Sequence, residues 1–265
     1  MRKLGIFVVA LMVIGLAGEA RAQDYAWGVR NPDGSRLTAS QIDEQVESLL
    51  NLFSALAGAG FVNTADVHGT GRFDIRATGV FTPIPDEFKD IVPSVQDPLE
   101  GASYVPFAFL QGNVGLVSKV EAFGRFMTLP IKGDPGGNVT LLGGGLKYGL
   151  LSGNLAMPAI SVLAGYQTIV VPEEFYFGTI STISLKAFIS KGFAIVTLYG
   201  GGGLDRTSLT LDIPGFPSEI NKGYNVTYGS GTVGLAFSPI PFFKVNLDAN
   251  FGTYRSYALA ASLGL

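Results

Sequence analysis

The carboxyl-terminal part of the chain alternates apolar and polar residues. An apolar residue stands at nearly every second position of FFKVNLDANF (242–251) and again of YALAASLGL (257–265). Successive side chains of a β-strand point to opposite faces, so a period of two predicts strands and not helices. The pattern therefore predicts a sheet that continues to the end of the chain.

The same alternation begins near Arg72 and recurs throughout the rest of the sequence. In RFDIRATGVF, Arg72, Asp74 and Arg76 lie on one face, and Phe73 and Ile75 lie on the other. Ten strands are predicted, of which the second is interrupted by a proline at position 106. Their ranges are 72–81, 103–111, 115–129, 138–151, 156–170, 178–190, 193–206, 223–237, 241–254 and 256–265.

A different period precedes the strands. Residues 38–60 carry apolar side chains at helical spacing, with Asp43 and Glu47 on the opposite face. Ser40 is the predicted N-cap, and Gly58 and Gly60 end the segment. A lone amphipathic helix needs an apolar surface to cover, so residues 38–60 are predicted to form a plug or a periplasmic cover.

The amino terminus has the features of a secretory signal peptide. Arg2 and Lys3 precede the apolar stretch 4–16, and Ala20-Arg21-Ala22 is a small-x-small cleavage site, so residues 1–22 are predicted to be removed. Residues 23–37 contain Asn-Pro-Asp-Gly and show no period, which predicts a loose leader.

Alternation alone does not distinguish a membrane barrel from a soluble sandwich, because both alternate. Short links, of which the first is the predicted turn Gln111-Gly112-Asn113, follow longer ones along the chain, as in bacterial outer-membrane barrels. The strands are about ten to fifteen residues long, which suits a tilted span of a ~30 Å hydrocarbon layer. We therefore predict an all-β fold in residues 61–265, an antiparallel transmembrane β-barrel of about ten strands. Eight to twelve strands fit the length, an even number places both termini in the periplasm, and aromatic residues such as Phe107, Phe109 and Phe126 are expected in interfacial girdles.

Composition and charge exclude some kinds of site and some classes of binding partner. The chain has no cysteine and one histidine, which excludes disulfides and cysteine-based zinc sites. Its formal charge is −3, and loss of residues 1–22 makes it more acidic, which argues against a nucleic-acid partner. The expected partners are outer-membrane lipid and, through the last strand, the barrel assembly machinery. That strand resembles the C-terminal assembly signal of Gram-negative barrels, although Leu265 replaces the usual Phe or Trp. A monomer is expected.

Candidate chemistry is sparse. His68 lies beside Asp66 but has no evident nucleophile, so a rim histidine is favoured over a catalytic one, and no catalytic, metal or cofactor site is predicted. The glycine-rich phrases at 143–150 and 199–205 lack the strand-loop-helix context of phosphate loops, and they are interpreted as places where strands bend or something packs closely. The candidate lumen-lining charges are Arg72, Asp74, Arg76, Lys119, Glu121, Arg125, Lys147, Lys186, Lys244 and Asp248. They are expected to pair with one another in a salt-bridge network, and a selective pore lining is the alternative.

Two phrases carry a family resemblance. Together with the predicted helix, NTADVHGTGRFDIRATGVF and GLAFSPIPFFKVNLDANFG resemble uncharacterised outer-membrane barrels loosely related to long-chain fatty-acid transporters. The resemblance implies a barrel with an amino-terminal segment inside or beneath it. The expected function is passive passage of small or apolar molecules, without covalent chemistry. The alternative is a structural or surface-recognition barrel whose loops at 82–102 and 207–222 bind a partner.

Overall fold

A computed structural model gives the structure of residues 39–84, 103–131, 137–170, 179–210 and 222–264. The predicted signal peptide and leader lie outside these residues, as do most of the two predicted partner-binding loops and Leu265. The elements are one helix and ten strands: α1 (Ala39–Ala57), β1 (Phe73–Pro83), β2 (Tyr104–Val117), β3 (Val120–Ile131), β4 (Gly137–Leu151), β5 (Ala159–Val170), β6 (Thr179–Phe193), β7 (Val196–Thr210), β8 (Gly223–Ile240), β9 (Phe243–Phe251) and β10 (Ser256–Gly264).

The ten strands form a closed antiparallel barrel. Each strand pairs with its sequence neighbours, and the first strand closes the ring by pairing with the last. At this seam Asp74 lies opposite Gly264 and Phe81 lies opposite Tyr257. The predicted fold class and strand number are confirmed.

The connections lie at two ends of the barrel. The turn end carries the links after β2, β4, β6 and β8, three of which contain only two residues. The loop end carries the links after β1, β3, β5, β7 and β9. Because β1 starts and β10 finishes at the turn end, the barrel strands begin and end on the same side.

One predicted turn is wrong. Gln111-Gly112-Asn113 lies within β2, which continues to Val117, and the chain reverses at Ser118-Lys119 with Lys119 at a φ of 68°. Pro106 does not break the strand, because it pairs with Phe81 of β1 while the ladder to β3 starts only at Leu110. Proline is tolerated in a strand where one side lacks a ladder partner.

Side chains alternate between the outside of the barrel and its lumen. In β1, Phe73, Ile75 and Phe81 are exposed on the outside, whereas the even-numbered residues from Asp74 to Thr82 are buried inside. The prediction that Phe107 and Phe109 lie in an interfacial girdle is wrong, because both side chains face inward and are buried. They face inward because the part of the lumen near the loop end has an apolar lining that contacts the helix.

The lumen contains the lumen segment, which we define as α1 and the following residues 58–72. Near the loop end, Asp43 pairs with Lys222, which directly precedes β8. At the turn end, the His68 ring contacts Glu121 near the start of β3. The segment thus runs through the barrel from the loop end to the turn end. The helix therefore lies inside the lumen, and its first described residue, Ala39, is nearer the loop end, opposite to the end where the barrel strands begin and finish.

The helix changes character along its length. Its first half has an exposed polar face with Glu44 and Glu47, whereas residues 52–57 are buried all round. A helix surrounded by barrel wall has no solvent-facing side, which explains the loss of amphipathicity. Ser40 is within the helix and is not its N-cap. In the described part of the chain, no helix combines the length and hydropathy needed to cross a membrane.

We expect Leu50→Ala to lower the free energy of unfolding by about 2–5 kcal/mol, because it opens a cavity between helix and wall. Leu50 is fully buried. Chemical denaturation of the protein in detergent micelles measures the change. Leu155→Ala is the matched control, since Leu155 is fully exposed in the β4–β5 link and should shift stability by no more than about 0.5 kcal/mol. Equal effects of the two variants would contradict a helix packed in the lumen.

Candidate functional site in the barrel lumen

Arg125 is buried at the carboxyl-terminal end of α1. Its Nη1 donates to the carbonyl of Ala57 at 2.8 Å, and its Nη2 donates to the carbonyl of Ala59 at 3.1 Å. The guanidinium also stacks on two rings, 3.6 Å from the centroid of Phe61 and 4.4 Å from that of Phe109. A single wall side chain thereby contacts both the helix end and the chain that follows it.

The position suits an arginine because helices end in carbonyl groups without intrahelical partners. These carbonyls carry partial negative charge, and a cation near them is favourable. Gln167 Nε2 donates to the same Ala57 carbonyl at 3.1 Å. Gln111 Oε1 accepts from Arg125 Nε at 2.8 Å, which orients the guanidinium. The barrel wall thus caps the helix in place of solvent.

A second set of wall donors holds the turn after the helix. Arg76 Nη2 and Gln111 Nε2 both donate to the carbonyl of Phe61, at 2.7 and 3.1 Å. Gly60 has a φ of +63°, and a Cβ there would lie 2.8 Å from Thr78 Cγ2. The chain passes so close to the wall that only glycine fits without displacement.

Gly58 lies against a buried ion pair. Lys186 Nζ is 2.7 Å from Asp205 Oδ2, and both side chains are almost completely buried. A Cβ on Gly58 would lie 2.6 Å from Asp205 Oδ2. Ser184 Oγ also donates to Asp205, at 2.5 Å. Buried charges need such partners, because removing either one leaves an uncompensated charge.

At the turn end, His68 anchors the lumen segment. Glu121 Oε2 lies 2.6 Å from His68 Nδ1 and accepts from the His68 backbone N–H at 2.9 Å. Lys147 Nζ pairs with Glu121 Oε1 at 2.9 Å and donates to the carbonyl of Asp66 at 2.8 Å. Asp74 Oδ2 lies 3.6 Å from His68 Nε2. The rim position expected for His68 agrees with this placement.

The ten predicted lumen charges fall into three groups. Lys244 is half-buried, and two residues at strand ends, Arg72 and Lys119, are exposed. Seven are buried facing the lumen: Asp74, Arg76, Glu121, Arg125, Lys147, Lys186 and Asp248.

The expected mutual pairing holds only in part. The two buried lysines Lys147 and Lys186 pair with carboxylates, whereas Arg76 and Arg125 donate to backbone carbonyls of the lumen segment. Charge pattern along the strands alone cannot reveal a carbonyl partner from another part of the chain.

Three wall residues were not identified from the sequence. Asp205, Gln111 and Gln167 all contact the lumen segment or its cationic partners. Each occupies an inward position of its strand, so the alternation contained the signal for all three. Gln111 was not predicted to face the lumen because residues 111–113 were predicted to form a turn. Asp205 follows a run of glycines, which have no side chains to show which face of the strand is polar.

The described residues contain no group of three or more His, Asp or Glu side chains placed to hold a metal ion. The absence of catalytic and cofactor sites stays a prediction. The His68 ring contacts the carboxylates of Glu121 and Asp74, and these contacts orient it.

We expect Arg125→Gln to destabilise the protein by about 1–3 kcal/mol for each carbonyl of Ala57 or Ala59 left without its donor. Glutamine is too short to reach both carbonyls. Chemical denaturation in detergent micelles reports the loss. Arg206→Gln makes the same charge change at an exposed position of β7 and should alter stability by no more than about 0.5 kcal/mol. An Arg125→Gln protein as stable as Arg206→Gln would refute the capping role.

Acidification should release the contact at the loop end. The hydrogen bond from Lys222 is the largest cause that lowers the pKa of Asp43 below its ordinary value, and partial burial opposes it. A lowered folded-state pKa contributes stability above the unfolded pKa of ~4, and that stability is lost as the pH falls through the folded value. The pair is exposed, so the effect is small. Asp43→Asn should remove this part of the acid dependence in thermal melts between neutral and acidic pH, and an unchanged dependence would contradict the contact.

The fold resembles solved bacterial outer-membrane barrels. The N-terminal barrel domain of Pseudomonas aeruginosa OprF is 15% identical over 75% of this chain and 100% of that domain, with a TM-score of 0.34. Ail of Yersinia pestis is 11% identical over 74% and 99%, with a TM-score of 0.32. The protease OmpT of Escherichia coli is 10% identical over 73% and 95%, with a TM-score of 0.38.

These likenesses are too distant to carry an argument about function, and none of the three proteins is a fatty-acid transporter. No curated protein sequence matches the chain. A family model matches residues 92–265, which include nine of the ten strands. The chain therefore belongs to DUF6588, a family of unknown function.

Proposed function

We propose that the protein is an outer-membrane barrel whose lumen segment acts as a hatch, so that small molecules pass only when the segment is displaced. The observation that carries the proposal is the polarity of the wall behind the segment. A lumen that is filled permanently would be expected to have an apolar lining, like the one near the loop end of this barrel. Between this apolar lining and the turn end, most strands instead carry charged or amide side chains that face the lumen.

Several side chains of the wall have a buried polar atom that makes no hydrogen bond with the segment. Buried polar atoms that make no hydrogen bond within the described chain lie on β1, β5 and β9: Arg76 Nε, Thr78 Oγ1, Thr82 Oγ1, Ser161 Oγ, Asn246 Oδ1, Asp248 Oδ1 and Asn250 Nδ2. Burying a polar atom without a hydrogen-bond partner is costly. Water that entered after the segment moved away would form hydrogen bonds with these polar atoms. The wall is therefore suited to a hydrated passage as well as to the closed state.

The outside of the barrel supports membrane placement. Large apolar side chains are exposed there at alternate positions of the strands, including Ile75, Leu110, Leu185, Leu204 and Leu259. In water such a surface would favour aggregation, whereas in a bilayer it contacts lipid. Lipid contact, monomeric state and delivery by the assembly machinery are parts of this proposal. Under it the turn end faces the periplasm, where outer-membrane barrels have short turns.

A reversible lock tests the hatch. Ser54 Oγ in α1 lies 2.6 Å from Thr207 Oγ1 in β7, and the chain has no cysteine of its own. Side chains this close are suitable for a disulfide. In the Ser54→Cys/Thr207→Cys protein, we expect oxidation to abolish uptake of a small neutral sugar by proteoliposomes and KCl conductance in planar bilayers. Reduction should restore both, and the Ser54→Cys protein alone should not respond.

The outcomes separate the hatch from its rivals. Flux that is equal in the oxidised and reduced forms would show that passage does not need displacement of the segment. No flux in the reduced form, in the wild type or in the Arg125→Gln protein would end the passage proposal and favour a structural or surface-recognition barrel.

A further inference from the structure

We infer that the chain is threaded through its own barrel from the cell surface, so that the protein displays the amino-terminal end of α1 outside the cell. The inference rests on the proposed outer-membrane placement, with the turn end in the periplasm. It differs from the ordinary arrangement expected from an even strand number, in which both ends of the chain lie in the periplasm.

The beginning of α1 lies at the loop end of the barrel. Asp43 Oδ2 is 2.8 Å from Nζ of Lys222, the residue that leads into β8 from the loop end. Ser40, Glu44 and Glu47 are exposed, in contrast to the buried second half of the helix. The first turns of α1 therefore lie at the loop-end mouth of the barrel.

The contacts then descend the barrel wall in sequence order. Ser54 meets Thr207 three residues before the loop end of β7, and Ala57 meets Arg125 in the middle of β3. Ala65 N–H then donates to Ser190 Oγ, near the turn end of β6.

The last contacts lie at the turn end. The backbone N–H of Gly153, in the β4–β5 link, donates to Asp66 Oδ1 at 2.9 Å. Gly71 N–H donates to the carbonyl of Gly115 near the end of β2, immediately before β1 begins. Because the contacts follow the sequence from one end to the other, the segment crosses the lumen once and does not fold back.

The length of the segment is sufficient for this crossing. A helix of 19 residues is about 28 Å long at 1.5 Å per residue, and the irregular residues 58–72 add further length after it. The apolar layer that a barrel of this kind presents to lipid is about 25 Å tall. One end of the segment can therefore be on the outer side while the other joins β1 at the periplasmic rim.

Surface labelling of single cysteines in the full-length protein tests the inference, because the chain has no cysteine that would give a background. The test position is Ser40→Cys, at the exposed start of α1, with Glu44→Cys as a second variant. Thr253→Cys marks the loop end and Ser152→Cys marks the turn end, and both residues are exposed. Each variant is treated with a membrane-impermeant maleimide on intact cells and again after permeabilisation.

We expect Ser40→Cys, Glu44→Cys and Thr253→Cys to react on intact cells, and Ser152→Cys to react only after permeabilisation. If the two markers behave in this way but both helix variants react only after permeabilisation, or never, the threading is wrong while the membrane placement stands. If Thr253→Cys reacts only after permeabilisation and Ser152→Cys reacts on intact cells, the proposed orientation itself is wrong. Retention of heat-modifiable mobility in gels establishes that each variant is folded.

Discussion

The structure depends on how a helix can end inside a closed wall. The last carbonyls of α1 point into the lumen, where solvent is excluded, and they must find donors there. Arg125 and Gln167 supply these donors from β3 and β5, and Arg76 with Gln111 supplies them to the turn that follows. The buried cations are in turn stabilised by the carbonyls, so wall and segment each satisfy groups that would be costly alone.

The two halves of the lumen use different physics. Near the loop end, the helix packs against apolar side chains from several strands, and burial of apolar surface holds it. Near the turn end, an ion pair, backbone hydrogen bonds and His68 with Glu121 hold the irregular part of the segment. Separating apolar surfaces exposes them to water at a cost, whereas polar groups that separate can form hydrogen bonds with water instead. A hatch that opens at the turn end is consistent with this division.

The sequence was sufficient for the barrel but not for its interior. Alternation is a local property, so it predicted ten strands and the inward positions of Asp74, Arg76 and Arg125. The turn at 111–113 was wrong because Gly and Asn in β2 were interpreted as turn residues, although tertiary pairing overrides that preference. The partners of the arginines are carbonyls distant in sequence, and no residue pattern encodes them. The direction of the helix through the lumen was likewise missed, because it is set by wall contacts and not by the helix itself.

The seam between β1 and β10 has a consequence for biogenesis. The barrel is a ring of strands around part of its own chain, and the encircled residues directly precede the first strand of the seam. Either α1 is captured while that seam is still open, or it must be pulled through a finished ring. Capture needs only the docking of a formed helix onto nascent strands, whereas passage would require it to unfold in a space already lined by side chains. Ring closure is therefore favoured as the final step of assembly, after the helix has docked.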